Sequence, residues 1–116
     1  MKILLIEDSP TIQKTILANL SKLFPDELEV FVAFNGKEGF KMMTTDSFEL
    51  IITDIDMQDG DGGTFLAKIT NNKILSKKKV VVFSSHKPPI DLPNIKYVNK
   101  ALGMHALSEA IKALTK

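Results

Sequence analysis

The chain contains no cysteine and no arginine among its 116 residues. Without cysteine it can form no disulfide, no thiolate nucleophile and no zinc site built on sulfur, which fits a reducing compartment. Without arginine it has no guanidinium for bidentate recognition of guanine or phosphate, so we expect no direct contact with nucleic acid. The fifteen basic residues are therefore all lysines, and they nearly balance fourteen acids to give a net charge of +1.

Long apolar runs are also absent. No run exceeds six residues, whereas a transmembrane helix needs about 20. The first two residues lead straight into a predicted strand instead of the apolar region of a signal peptide. We therefore expect a soluble, cytoplasmic protein without a membrane partner. With 116 residues, of which 44% are apolar, the chain has the size of one domain with one ordinary core.

Short strand patterns alternate with helical patterns along most of the chain. The predicted strands cover residues 3–6, 29–34, 48–53, 80–83 and 96–99. The predicted helices cover residues 10–24, 37–43, 64–70 and 104–114. This alternation predicts an α/β fold in which right-handed crossovers build a five-stranded parallel sheet with helices on both faces.

One connection is too short for this pattern. Eleven residues, Ser85 to Ile95, separate the fourth and fifth predicted strands, and they include Pro88, Pro89 and Pro93. A parallel crossover needs about a dozen residues and usually contains a helix. The fourth helix is therefore expected to be short or missing.

Polar residues follow four of the predicted strands. Glu7 and Asp8 follow the first, Asp54 the third, Ser84 the fourth and Lys100 the fifth. Ligands of open parallel sheets bind beyond these carboxyl ends. Carboxylates held together would repel by about 4 kcal/mol per pair at 4 Å, and a hard divalent ion offsets this. Magnesium suits such an all-oxygen set, while a hydroxyl and an ammonium could hold phosphoryl oxygens.

This ordered set resembles that of the receiver domains of two-component response regulators, including the single-domain chemotaxis type. The resemblance covers essentially the whole chain and implies one receiver domain over residues 1–116. The implied fold is three-layered and flavodoxin-like, with a doubly wound sheet of strand order 2-1-3-4-5. The implied function is that Asp54 takes a phosphoryl group from a phosphohistidine of a histidine kinase or phosphotransfer protein.

The resemblance also implies a magnesium site. In this family an acidic pair and the later aspartate bind Mg²⁺, which assigns Asp8 and Asp54 as direct ligands. Glu7 is then an outer ligand, and the backbone carbonyl of Asp56 is a further direct ligand.

The remaining roles implied by the resemblance concern switching. Ser84 corresponds to the switch hydroxyl, Lys100 to the lysine that pairs with the phosphoryl group, and Tyr97 to the aromatic rotamer switch. Asp56 and His86 would lie at the mouth of the site and set the phosphoryl lifetime. Such a protein is not an enzyme with turnover but a signalling phosphoacceptor that catalyses its own phosphorylation and dephosphorylation. Because the sequence ends with its last helix, we expect the signal to pass by contact to an unknown downstream protein.

Two residues depart from the family pattern. Gln58 stands where a proline is usual, and Ala101 stands where a proline usually follows the lysine, often through a cis bond. A cis bond before alanine costs about 2.5–4 kcal/mol, against about 0.5–1 kcal/mol before proline. We therefore expect either a trans bond with Lys100 placed differently, or a strained loop.

Two alternatives to the phosphoacceptor function follow from the same residues. The run Asp54-Ile55-Asp56 superficially fits a haloacid dehalogenase-like phosphatase, but Gln58 does not match that motif, and Glu109 is the only acid after Lys100. The second alternative is a receiver-like interaction module that works without phosphorylation, which Gln58, Ala101 and the short or missing fourth helix motivate. Covalent phosphorylation without turnover of a phosphate ester would separate the phosphoacceptor from both.

Overall fold

A computed structural model describes residues 1–55, 78–88 and 94–115 of the chain. Its strands are β1 (Lys2–Ile6), β2 (Glu29–Ala33), β3 (Leu50–Thr53), β4 (Lys79–Ser84) and β5 (Ile95–Asn99). Its helices are α1 (Pro10–Leu23), α2 (Gly36–Thr45), a 3-10 helix (Lys100–Leu102) and α3 (Gly103–Leu114). None of the helices in the described ranges is both long and apolar enough to span a lipid bilayer.

The strands form one sheet of order β2-β1-β3-β4-β5 in which every neighbouring pair is parallel. This confirms the predicted flavodoxin-like fold. The strand β1 lies next to the centre, and its four residues Ile3–Ile6 are fully buried. Their side chains alternate between two apolar clusters, one on each face of the sheet. Near-continuous apolar strands are typical of parallel sheets that are covered on both faces.

The helices α1 and α3 cover one face of the sheet. Ser9 caps α1, since its Oγ accepts a hydrogen bond from the Ile12 N–H at 3.4 Å, and Pro10 occupies the first helical position. Proline at that position loses no helical hydrogen bond. Between the two helices, Asn19 Nδ2 donates to Ser108 Oγ at 2.5 Å. This hydrogen bond therefore links α1 to α3 within an otherwise apolar contact.

The helix α2 packs on the opposite face. Its buried Met43 joins the cluster that contains Phe48 and the inward residues of β1 on that side. The side chain of Asn35 accepts from the Glu38 N–H at 2.8 Å and so caps the helix. The helix is longer than the predicted range 37–43 at both ends, and at its start the Asn35 cap brings Gly36 into the helix.

Two predicted features fall outside the described residues in whole or in part. The predicted helix over residues 64–70 lies outside them entirely. In the connection from β4 to β5, the described residues 85–88 and 94 are not helical. Residues 89–93 of that connection are not described, so the short or missing fourth helix stays a prediction. The 3-10 helix after β5 was not predicted.

Candidate functional site

The parallel register brings the ends of β1 and β3 side by side. Ile6 pairs with Thr53, so Glu7 and Asp54 leave adjacent strands at the same edge of the sheet. The Asp54 N–H donates to the Ile6 carbonyl at 3.1 Å, and the Glu7 N–H donates to the Ala33 carbonyl at 3.0 Å. These ladder bonds fix the backbone from which both carboxylates project.

One lysine joins these two carboxylates. Lys100 Nζ donates to Asp54 Oδ2 at 2.5 Å and to Glu7 Oε1 at 3.1 Å. The side chains of Glu7 and Asp54 are only 2% and 3% exposed, and that of Lys100 is 21% exposed. The site thus contains two buried carboxylates that share one ammonium, and we call Glu7, Asp54 and Lys100 the charged cluster.

Burial and ion pairing shift the pKa values of this cluster in opposite directions. Burial raises the pKa of Glu7 above its ordinary value, although the Ser9 N–H and the Lys100 ammonium oppose that rise. Burial also disfavours the ammonium, but the hydrogen bonds to Asp54 and Glu7 outweigh it and raise the pKa of Lys100. The lysine therefore stays charged at neutral pH, which is the state needed to pair with an anionic ligand.

The loop that carries the acidic pair is held by the start of α1. The Ser9 N–H donates to Glu7 Oε2 at 3.1 Å, and Gln13 Nε2 donates to the Glu7 main-chain carbonyl at 2.6 Å. Both carboxylate oxygens of Glu7 therefore accept from the protein, one from Ser9 and one from Lys100. Asp8, the next residue, is partly exposed. Sequence reasoning missed Gln13, although its position one turn after the cap was the available signal.

The backbone around Lys100 has the trans bond of the first sequence-based alternative and not the strained loop of the second. The described residues contain no cis peptide bond and no non-glycine residue with positive φ, so the Lys100–Ala101 bond is trans without left-handed strain. The trans bond nevertheless lets Lys100 reach Asp54. Asn99, which the sequence analysis did not single out, accepts from the Ala101 N–H through its side chain at 2.9 Å.

The other predicted switch residues lie on β4 and β5 or just after them. Ser84 is fully buried, and its Oγ accepts from the His86 N–H at 3.4 Å. His86 itself is exposed. Tyr97 is half-buried and packs against the apolar cluster on the α2 face. Asp56 lies outside the described residues.

The metal-binding capacity of the site follows from its charges. Among the residues that the structure describes, no three acid or histidine side chains are grouped closely enough to hold a metal ion. Glu7 and Asp54 nevertheless lie side by side at the ends of β1 and β3, and Asp8 is the residue after Glu7. Carboxylate oxygens without nitrogen or sulfur are the donors that Mg²⁺ prefers. The residue types therefore fit a divalent hard cation.

Comparison with known proteins identifies the family. The family model described as "Response regulator receiver domain" matches residues 3–112. The response regulator TrrA of Thermotoga maritima, solved in complex with Mg²⁺-BeF, has a TM-score of 0.81 at 24% identity, and the match covers 97% of each chain. TrrA has also been solved in complex with the histidine kinase ThkA. A receiver domain from Clostridium thermocellum has a TM-score of 0.74 at 30% identity, covering 97% of this chain and 92% of that one.

The chain is also similar in sequence to a curated relative. The chemotaxis protein CheV1 of Helicobacter pylori is 35% identical over 88 residues, which are 72% of this chain and 26% of CheV1. This chain therefore spans about a quarter of the length of that relative. Since the family model covers nearly all of the chain and the sheet has the same strand order as expected for that family, the chain belongs to the response regulator receiver domains of two-component signalling.

Proposed function

We propose that this receiver domain is a phosphoacceptor in which Asp54 takes a phosphoryl group from a phosphohistidine of a histidine kinase or phosphotransfer protein. The observation that carries the proposal is the buried Asp54 carboxylate with the Lys100 ammonium 2.5 Å from its Oδ2. This carboxylate lies at the carboxyl end of a central strand, with a charged donor beside it. It can therefore form a bond to an incoming phosphorus atom while the donor compensates the negative charge of the phosphoryl oxygens. The kinase complex of TrrA supports this class of donor.

The transfer requires one bond to form and one to break. An Asp54 oxygen attacks phosphorus, the bond from phosphorus to the imidazole nitrogen breaks, and the electron pair stays on that nitrogen. Lys100 pairs with negative charge on the phosphoryl oxygens, and the Ser84 hydroxyl on the next strand offers them a hydrogen bond. Positioning and charge neutralisation supply most of the catalysis in phosphoryl transfer. Attack by water on the same phosphorus later breaks the bond to the Asp54 oxygen, which returns the carboxylate and releases inorganic phosphate. The protein is therefore self-dephosphorylating and not an enzyme with turnover.

We further propose that Asp8, Asp54 and the Asp56 carbonyl hold Mg²⁺, with Glu7 as an outer ligand. The two hydrogen bonds that occupy the Glu7 carboxylate oxygens support the outer position for Glu7. The all-oxygen donor set of these carboxylates supports a divalent ion, as does the Mg²⁺-BeF complex of TrrA. When bound, magnesium neutralises phosphoryl oxygens during transfer.

The output follows from the residues around the site. We propose that Ser84 and Tyr97 relay the presence of the phosphoryl group to the surface, while Asp56 and His86 tune its lifetime. The hydrogen bond from the His86 N–H to Ser84 Oγ supports a link between the buried hydroxyl and an exposed loop. We also propose that residues 1–116 form a single receiver domain that works in the cytoplasm and signals by contact with a downstream protein.

Intact mass spectrometry tests the phosphoacceptor function. Incubation with acetyl phosphate and Mg²⁺ is expected to add one phosphoryl group, and Asp54→Asn is expected to abolish the adduct. Asp46→Asn is the matched control, because Asp46 is also paired with a lysine, at 2.8 Å, but lies away from the site. That variant should still accept the group.

Two other outcomes would contradict the proposal. Absence of an adduct from small donors and from a cognate kinase would favour the interaction module without phosphorylation. Continuous release of product from a phosphate ester, with many turnovers per protein, would favour the phosphatase.

A further inference from the structure

The peptide group between Lys100 and Ala101 is held at both of its polar atoms. Its N–H, on Ala101, donates to Asn99 Oδ1 at 2.9 Å. Its carbonyl, on Lys100, accepts from the Gly103 N–H, where the 3-10 helix ends. Gly103 has φ +81°, a conformation that L side chains rarely adopt. The plane of this peptide is therefore fixed by one side chain and one backbone amide.

This fixed peptide directs a long side chain across the sheet. Lys100 follows β5, whereas its partners Glu7 and Asp54 follow β1 and β3, and β4 lies between β3 and β5. A lysine side chain has four rotatable carbons and loses much rotamer freedom when its ammonium is held in one place. The direction in which it leaves the backbone therefore decides whether the ammonium reaches both carboxylates.

Asn99 is the residue that links this peptide to the sheet. In the register of β4 and β5 it pairs with Ser84, so its backbone belongs to the strand ladder. Its side chain reaches forward to the peptide after Lys100. Alanine at 101 leaves an N–H at this point, and asparagine readily accepts from a backbone amide two residues further on. One residue thus couples the end of β5 to the orientation of Lys100.

We propose that Asn99 is a positioning residue, which orients the Lys100–Ala101 peptide so that the Lys100 ammonium meets Asp54 and the phosphoryl group bound there. Asn99 touches neither of them and acts through Lys100. The part of this inference that concerns phosphorylation rests on the proposed function, while the part that concerns the placement of Lys100 does not.

The first test compares initial rates of phosphorylation by acetyl phosphate at saturating Mg²⁺. Asn99→Ala is expected to lower the rate by about tenfold, because a small misplacement of a catalytic group costs one to two orders of magnitude. Asn99→Asp keeps the acceptor oxygen and should restore most of the rate. Asn35→Ala is the matched control, since it removes an asparagine cap of the same kind from α2 and should leave the rate unchanged.

A second comparison separates positioning from a general loss of structure. In the Lys100→Met background, Asn99→Ala is expected to cause no further loss of rate, because the side chain that it orients is gone. A further loss of similar size in that background would overturn the proposal, and so would an unchanged rate in Asn99→Ala alone.

A third measurement does not depend on phosphorylation. In NMR spectra of protein labelled at lysine, the Cε–Hε signal of Lys100 is assigned by its disappearance in Lys100→Met. This signal is expected to move toward the position of a free lysine in Asn99→Ala, and to stay in place in Asn99→Asp and Asn35→Ala. If the wild-type protein takes no phosphoryl group, the proposed function fails, and this signal alone decides the role of Asn99. An unchanged Lys100 signal in Asn99→Ala would overturn the inference in either case.

Discussion

The sheet has one edge where its strands begin and one where they end, and each carries a lysine paired with carboxylate. The surroundings of the two pairs are opposite. At the edge where the strands begin, Lys2 Nζ lies 2.8 Å from Asp46 Oδ1, with the two side chains 29% and 35% exposed. Its ammonium also lies 4.9 Å and 5.6 Å from the ring centroids of Phe31 and Phe48. In this arrangement one ammonium faces one carboxylate, with aromatic rings beside it and access to water.

The edge where the strands end has the reverse character. There the charged cluster contains two acids for one lysine, and both acids are almost completely buried. The pKa shifts show the same contrast. The hydrogen bond to Lys2 is the main cause that lowers the pKa of Asp46, whereas burial is the main cause that raises the pKa of Glu7. The first edge thus holds a lysine pair close to water, and the second buries its charges where, on the proposed function, a cation and a phosphoryl group would enter.

The largest expected effect comes from removing each lysine in turn. Lys100→Met leaves two buried carboxylates without their ammonium, which is expected to lower the free energy of unfolding by about 3 kcal/mol at neutral pH. Lys2→Met removes an exposed pair and should cost clearly less, and its effect should shrink in high salt. Urea unfolding of both variants measures the difference. Equal losses would remove the distinction between the two edges.

Magnesium should stabilise the protein through only one edge of the sheet, the one where the strands end. At a concentration tenfold above its Kd, Mg²⁺ is expected to raise the free energy of unfolding by about 1.4 kcal/mol. Asp8→Asn and Asp54→Asn should reduce this gain, while Asp46→Asn should leave it intact. Thermal unfolding with and without the ion measures it. The same gain in all three variants would place the ion elsewhere.

The smallest expected effect is a difference in the sign of the pH dependence. The lowered pKa of Asp46 contributes stability that is present above its ordinary value of 3.8 and is lost as pH falls through the lowered value. The raised pKa of Glu7 acts oppositely, because the folded state then holds its proton more tightly, so stability falls as pH rises from the ordinary value of 4.5 through the raised one.

Urea unfolding between about pH 3 and pH 7 measures both effects. The advantage of the wild type over Asp46→Asn should vanish at the acid end. The stability of Glu7→Gln relative to the wild type should instead rise with pH across the Glu7 window. Parallel pH profiles for the two variants would contradict the assignment of opposite shifts.

Much of the fold follows from local patterns in the sequence. The apolar runs of β1, β3 and β4 are buried on both faces, and α1 begins at residue 10 as predicted, because these features depend on neighbouring residues alone. Strand order came with the family resemblance and not from periodicity, because no local pattern tells which parallel strands become neighbours.

The site was less accessible to prediction from sequence. Its acids and its lysine could be named because each ends a strand, but the contact of Lys100 with Glu7 joins residues 93 positions apart. Ala101 allowed two alternatives from sequence, and the trans bond is the one found. The acceptor that Asn99 supplies to the Ala101 N–H was not predicted. Asp56 and Gln58 lie outside the described residues, so their roles stay predictions.

The large sequence separations within the charged cluster also bear on how the chain folds. Lys100 lies 46 positions from Asp54 and 93 from Glu7, so the ammonium arrives only when β5 has docked on β4. Contacts of such long range form late, because the intervening loops must close first. A partly folded chain without β5 would bury Glu7 and Asp54 without the ammonium that compensates their charge. Such a state would therefore have a higher free energy. Docking of the last strand therefore brings in the charge that compensates Glu7 and Asp54.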